Sequence, residues 1–95
     1  MNIYLTAVIK AKSAYRHEVL AVLQNMVTET RKEAANIQYD LHQGITDENV
    51  FVFYEIWENQ EGLDSHGQQP YILEFAALAG EKLQEAPQIY LTKKL

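Results

Sequence analysis

The residues of this sequence best suited to chemistry gather late in its first two-thirds. There Tyr54-Glu55-Ile56-Trp57 is followed by Leu63-Asp64-Ser65-His66. Glu55 interrupts the otherwise apolar run VFVFYEIW at residues 50–57. A buried carboxylate without a partner is costly, and burial raises its pKa toward neutrality, where it can act as a base. The other reading is structural: a glutamate paired with a backbone group, a hydroxyl or a second subunit. His66 stands at the start of a second helical region, beside Gly67. Its imidazole is suited to proton transfer near neutral pH, or to a surface or capping role. Glu55 and His66 are therefore the candidate catalytic pair.

Period-two alternation puts Phe51, Phe53, Glu55 and Trp57 on one face of a strand. Such an aromatic wall can stack a planar substrate, or it can serve as core or dimer interface. Tyr39 shares a face with Ile37 and Leu41, and a buried phenol that needs a hydrogen-bond partner can orient a substrate oxygen. His42 has the opposite parity near the strand end, and Tyr71 follows Pro70. Trp57, Tyr39, Phe53, Tyr71 and His42 are the candidate substrate contacts. His17, between Arg16 and Glu18, reads as a surface residue. No His-x-x-x-His, His-Glu-x-x-His or Cys/His spacing occurs, so no metal site is expected. No glycine-rich phosphate loop or serine-nucleophile elbow occurs either.

The elements that must position these groups follow from periodicity. Residues 2–11 alternate, with Ile3, Leu5, Ala7 and Ile9 on one side and Tyr4, Thr6 and Val8 on the other, which predicts a strand covered on both faces. Ser13 is a plausible N-cap for an amphipathic helix of about twenty residues ending near Ala35-Asn36, with Val19, Val22, Leu23, Met26, Val27 and Thr30 as its apolar stripe. Arg16, Glu18, Glu29, Arg31, Lys32 and Glu33 read as its solvated face. NIQYDLHQ and VFVFYEIW are strands joined by the turn-rich GITDEN, hence an antiparallel hairpin. Asn59 caps a short helical turn that Gly67 and Pro70 interrupt. A second helix then buries Ile72, Leu73, Phe75, Ala76, Leu78, Ala79 and Leu83, and Pro87 ends it before the final strand QIYLTKKL.

The order βαββαβ predicts an α+β, ferredoxin-like domain over residues 1–95, with a four-stranded antiparallel sheet and two helices on one face. The other face would leave apolar side chains in water, and a second copy packed sheet to sheet is the simplest cover. Ninety-five residues make one domain with a hydrophobic fraction of 47%. The net charge of −5 argues against nucleic acid, and no apolar run is long enough to cross a membrane. The lack of cysteine suits a reducing compartment, so a cytoplasmic location is expected; the N-terminus reads as a strand rather than a signal peptide.

Tyr39-Asp40-Leu41-His42, Tyr54-Glu55-Ile56-Trp57, Leu63-Asp64-Ser65-His66 and Pro70-Tyr71, in this order and on this topology, resemble the antibiotic biosynthesis monooxygenase family of small dimeric α/β barrel proteins. The sequence departs from the family pattern at Ala34-Ala35-Asn36, where a Pro-Gly-Cys-like turn is common, and at Tyr71, where a histidine commonly follows the proline. The resemblance implies a monooxygenase that oxidises a phenol or quinol with O2 and no cofactor. Related members degrade haem, but carry other residues near the position of His66. Another isomerises a phosphorylated dicarbonyl related to autoinducer-2. That reaction would need a cation in the pocket, whereas Lys10, Arg16 and Lys82 read as exposed. A non-catalytic dimeric ligand-binding module is the third possibility, favoured if Phe53, Phe75 and Tyr71 fill the pocket.

Overall fold

Alternating and helical segments of the chain assemble into a four-stranded antiparallel sheet with three helices against one face. The computed structural model describes residues 1–95. Its elements are β1 (Ile3–Lys10), a 3₁₀ turn at Ser13–Tyr15, α1 (Arg16–Thr30), β2 (Asn36–Gln43), β3 (Val50–Trp57), α2 (Gln60–His66), α3 (Pro70–Lys82) and β4 (Gln88–Thr92). The sheet order is β2-β3-β1-β4, as the ferredoxin-like reading requires. No helix is long and apolar enough to cross a membrane.

The helix-covered face holds the core. Leu5, Ala7 and Ile9 of β1 lie beside Phe51, Phe53 and Trp57 of β3, and Val19, Leu23 and Met26 of α1 close over them. The opposite face carries half-buried Tyr4, Val8, Val52 and Ile56 with the exposed Tyr54 and Tyr90. In register, Tyr54 and Tyr90 flank Thr6 from its two neighbouring strands. Expectation and structure part at several points. Three helices rather than two lie on the covered face, because the short turn expected after Asn59 is a helix of its own, α2, set apart from α3 at Gly67-Gln68-Gln69 as the glycine and proline indicated. Ile37 does not share the face of Tyr39: it is the extra residue of a β-bulge between Asn36 and Gln38 and is half exposed.

The ends of α1 and α3 also differ from the pattern-based reading. Ser13 makes no capping bond and opens the 3₁₀ turn instead. α1 stops at Thr30; the chain then tightens, with Lys32 N–H bonding to Glu29 O and Glu33 N–H to Thr30 O. Arg31 fastens this turn to β2 by donating to Tyr39 O at 3.2 and 3.0 Å and to Asp40 Oδ1 at 3.1 Å. α3 ends at Lys82, well before Pro87, because Leu83 turns extended and bridges Ala11. Gln84 N–H then bonds Lys10 O at 2.8 Å. On α3 only Phe75 is fully buried, and Leu73, expected in the apolar stripe, is half exposed. α3 leans on α1 and stands off the sheet. That stand-off makes the cavity described below.

α2 is docked by a close approach at its first turn. Asn59 caps it as expected, its Oδ1 accepting from Gly62 N–H at 2.7 Å. A Cβ on Gly62 would collide with the Ala35 Cβ. Glu58 N–H also bonds Ala35 O at 3.0 Å. The small pair Gly62 and Ala35 thus lets α2 lie against the turn that follows α1. Gly62→Ala should destabilise the fold by about 1–3 kcal/mol in urea denaturation, through overpacking. Adding Ala35→Gly should recover part of that loss, and a Gly62→Ala protein as stable as the wild type would contradict this contact.

Candidate functional site

Glu55 reaches the covered face of β3 by the alternation that also buries Phe51, Phe53 and Trp57. It is 4% exposed. Its one hydrogen bond is local: the Trp57 indole Nε1–H donates to Glu55 Oε1 at 2.9 Å, two residues along the same strand face. One neutral hydrogen bond does not replace the lost water. Burial pushes the Glu55 carboxyl up to about 7, with the charge of Glu33 adding to the rise and the Trp57 bond opposing it. Glu55 is therefore a buried acid poised to exchange a proton near neutral pH.

His66 is the last residue of α2, not the start of the helical region, because Gly67 ends that helix. Its ring lies 4.5 Å from the Trp57 ring and 5.5 Å from that of Tyr39, centroid to centroid. Its Nδ1 is 2.8 Å from Glu33 Oε2. The Tyr71 hydroxyl donates to the same oxygen at 2.5 Å. An ionised Glu33 can only accept, so His66 Nδ1 carries the hydrogen and Nε2 is the basic nitrogen. This is a base oriented from behind by a carboxylate.

Beneath α3 lies a cavity of about 420 Å³, within the range of small-molecule sites. Leu5, Ala7 and Ile9 form its floor, Met26 and Phe75 its walls, and Tyr39, Phe53, Glu55 and His66 line it as well. On the β4 side it is bounded by Pro87 and by Ile89, which is more than half exposed. No lysine or arginine lines it. A larger depression of about 730 Å³ among Met1, Ile3 and Leu91 has neither an acid nor a histidine. No cluster of three or more His, Cys, Asp or Glu side chains could hold a metal ion.

The structure brings Tyr39, Phe53, Glu55 and His66 into one cavity. Trp57 is fully buried behind them, holding Glu55 and packing on His66. Tyr71 reaches the site only through Glu33. His42 is not part of it: its parity, opposite to that of Tyr39, puts it on the helix-free face across from Val52, where it is exposed. Burial raises the Tyr39 hydroxyl far above its ordinary pKa, with Glu55 adding to the effect, so Tyr39 is a neutral donor. Burial and the bond to Glu33 do the same for Tyr71.

Glu33 is the residue that pattern reading misses here. Glu33 was grouped with the solvated face of α1, yet its side chain is only 14% exposed. The signal is present in the spacing. Val19, Leu23, Met26, Thr30 and Glu33 recur at alternating intervals of four and three, so Glu33 extends the buried stripe by one position.

Comparison with known proteins places the site in a family context. The family model described as antibiotic biosynthesis monooxygenase matches residues 2–78. A Bacillus subtilis protein named "Putative monooxygenase YcnE" is 36% identical over 85 residues, covering 90% of this chain and 88% of its own length. The uncharacterised Synechocystis protein sll1783 is 33% identical over 85 residues; the match covers 90% of this chain but only 58% of that longer protein. Among solved structures, PA3566 of Pseudomonas aeruginosa superposes with a TM-score of 0.93 at 29% identity, over 99% of this chain and 94% of its own.

The Glu55 environment makes a pH-dependent prediction. Its folded pKa of about 7 lies above the ordinary 4.5, so the native state holds this proton more tightly than the unfolded chain does. The resulting stabilisation is complete below the ordinary value and is lost as pH rises through about 7. The loss is on the order of 3 kcal/mol. Glu55→Gln, which keeps an acceptor for Trp57, should be more stable than the wild type at about pH 8, with the gap closing by about pH 5. Parallel urea titrations of the two proteins at both pH values would show it; a gap independent of pH would be inconsistent with a buried, proton-exchanging Glu55.

Proposed function

The chain belongs to the antibiotic biosynthesis monooxygenase family, and from that premise we propose that it is a cofactor-free monooxygenase of a phenol or quinol bound beneath α3. The observation that carries the reading is a cavity with an almost wholly apolar lining in which His66, held by Glu33, and the proton-exchanging Glu55 are both wall residues. A planar aromatic ring fits between Phe53 and Phe75, and its hydroxyl is directed to the polar end at Tyr39, Glu55 and His66. His66 Nε2 takes the phenolic proton, and Glu33 stabilises the imidazolium that results. The phenolate gives an electron to O2, and the radical pair combines at the para carbon to form a carbon–oxygen bond; loss of the para hydrogen and cleavage of the O–O bond then leave the quinone and one water. The dry cavity keeps the anion electron-rich and the radicals together. Glu55 takes up or returns the second proton of the reaction.

The reading includes a homodimer in the cytoplasm. The helix-free sheet face, with Tyr4, Val8, Val52, Tyr54, Ile56 and Tyr90, would be covered by a second copy. A phosphorylated dicarbonyl suits the cavity poorly, because no cation lines it to meet a phosphoryl group. A filled, non-binding interior is also disfavoured: Phe53 and Phe75 line open space, and Tyr71 points to Glu33 instead.

The test uses α-naphthol as the phenol and menadiol as the quinol, in air and under nitrogen. The protein should accelerate product formation in air only, and naphthoquinone formed under oxygen-18 gas should carry one labelled atom. His66→Ala should lower kcat about a hundredfold or more, and Glu33→Gln about tenfold. No acceleration over the protein-free rate in air, with both compounds and across neutral pH, would refute the monooxygenase reading.

A further inference from the structure

The polar side chains of the cavity all stand at one end of it. Tyr39 and Glu55 lie directly opposite one another on β2 and β3. The His66 ring is 5.5 Å from that of Tyr39, and the pairing of its Nδ1 with Glu33 leaves Nε2 as an acceptor. Trp57 holds Glu55 Oε1, which leaves Oε2. Away from this end the sheet register runs through hydrocarbon. Leu5 of β1 is opposite Glu55, and the next inward-facing residue, Ala7, lies between Phe53 and Ile89 on the neighbouring strands. Ile9 follows on β1, with Pro87 and Ala79 lining the same far end. Leu5, Ala7 and Ile9 are spaced about 7 Å apart along the strand. Beyond Tyr39, Glu55 and His66, no hydroxyl, amide, carboxylate or cationic side chain lines the cavity.

We propose that this one-sided polarity selects the substrate: a fused-ring phenol with its oxygens on one edge only, whose bare para carbon lies over Ala7. The proposal rests on the phenol-oxidising reading above and narrows it, setting phenols against para-quinols. With one oxygen held among Tyr39, Glu55 and His66, the ring extends along β1 from Leu5 toward Ala7. A single ring with a second oxygen at its para carbon fits within one such step of about 7 Å, so that oxygen stops over Ala7. The fused ring turns to the open β4 side, toward the exposed Ile89, and shuts water out. A para hydroxyl then meets neither a partner nor solvent, and a buried hydroxyl without a partner costs affinity. A second hydroxyl on the carbon beside the first stays at the polar end, within reach of Glu55 and Tyr39.

The same asymmetry favours release of the product. Oxidation places a carbonyl at the para carbon, so the quinone presents an acceptor to the hydrocarbon end. It has also lost the hydroxyl that donated to His66. The cavity is therefore matched to the compound it consumes and mismatched to the one it makes. Ala7 and Ile89, paired across β1 and β4, are the specificity-determining positions, because they lie under and beside the para carbon. Selection comes from what these two side chains lack rather than from a contact they make.

Two isomers of one composition separate this selection from a simple preference for less polar ligands. The probes are α-naphthol and the two dihydroxynaphthalenes that add a hydroxyl at its ortho or its para carbon. Calorimetric titration of the wild type under nitrogen at neutral pH should give α-naphthol and the ortho isomer Kd values within about threefold of each other. The para isomer should bind about ten- to a hundredfold more weakly, and the para-quinone of naphthalene no more tightly than that. Ala7→Ser should lower the Kd of the para isomer about tenfold and leave that of α-naphthol nearly unchanged. Ile89→Thr, at an exposed position that tolerates a hydroxyl, should act in the same direction. Equal affinity of the wild type for the two isomers, or binding of none of the probes, would overturn the proposal. A para isomer that neither variant helps would overturn the placing of its far oxygen over Ala7. The binding order needs no turnover: if it holds while nothing is oxidised in air, the monooxygenase reading alone fails.

Discussion

A single carboxylate oxygen joins the three segments that cover the sheet. Glu33 Oε2 accepts from His66 at the end of α2 and from Tyr71 at the start of α3, and Glu33 itself sits in the turn that leaves α1. The break between α2 and α3 is thereby closed by side chains rather than by continued helix. α3 starts from this anchor and leans on α1, so it need not touch the sheet along its length. The space left over is the cavity. The same oxygen thus sets the roof of the site and orients its histidine. Gly62 and Ala35 cooperate by letting α2 approach the turn closely enough for the pairing to form. Arg31, one residue past α1, fixes that turn to the backbone of β2.

Glu55 is the opposite case, a group whose burial weakens the fold. Two carboxylates, Glu33 and Glu55, act on one another across the site, and neither faces a lysine or arginine within the cavity. Thr30 adds a buried hydroxyl without a partner. Glu55 and Thr30 would each be better replaced by an apolar side chain if packing were the only demand. Their concentration around one hollow, in a domain with so small a core, is what a site looks like when stability has been yielded for chemistry.

The strands were legible because alternation is a local signal. VFVFYEIW and NIQYDLHQ match β3 and β2 end to end, and the shared parity of Phe51, Phe53, Glu55 and Trp57 places all four on the covered face. Ile37 fails for a reason that periodicity cannot hold: a bulge inserts one residue and resets the parity. The helix ends fail because they are decided by tertiary partners. α3 stops where Leu83 finds Ala11 on β1, long before Pro87 enforces a stop. Glu33 is the instructive error. Its charge argues for solvent, while its spacing from Thr30 and Met26 argues for burial, and burial wins because His66 and Tyr71 supply the hydrogen bonds that make it tolerable.

Tyr71 shows how a departure from a family pattern can be physically specific. A histidine at that position would bring a second titrating ring to Glu33. A phenol brings a donor that stays neutral, because burial and the adjacent carboxylate both oppose its ionisation. Glu33 therefore pairs with a single ring nitrogen, His66 Nδ1, and that ring is the one that lines the cavity. The exchange of histidine for tyrosine thus does not remove a polar group from beside Glu33 so much as change its kind, from a second base to a neutral donor that helps hold the carboxylate against His66.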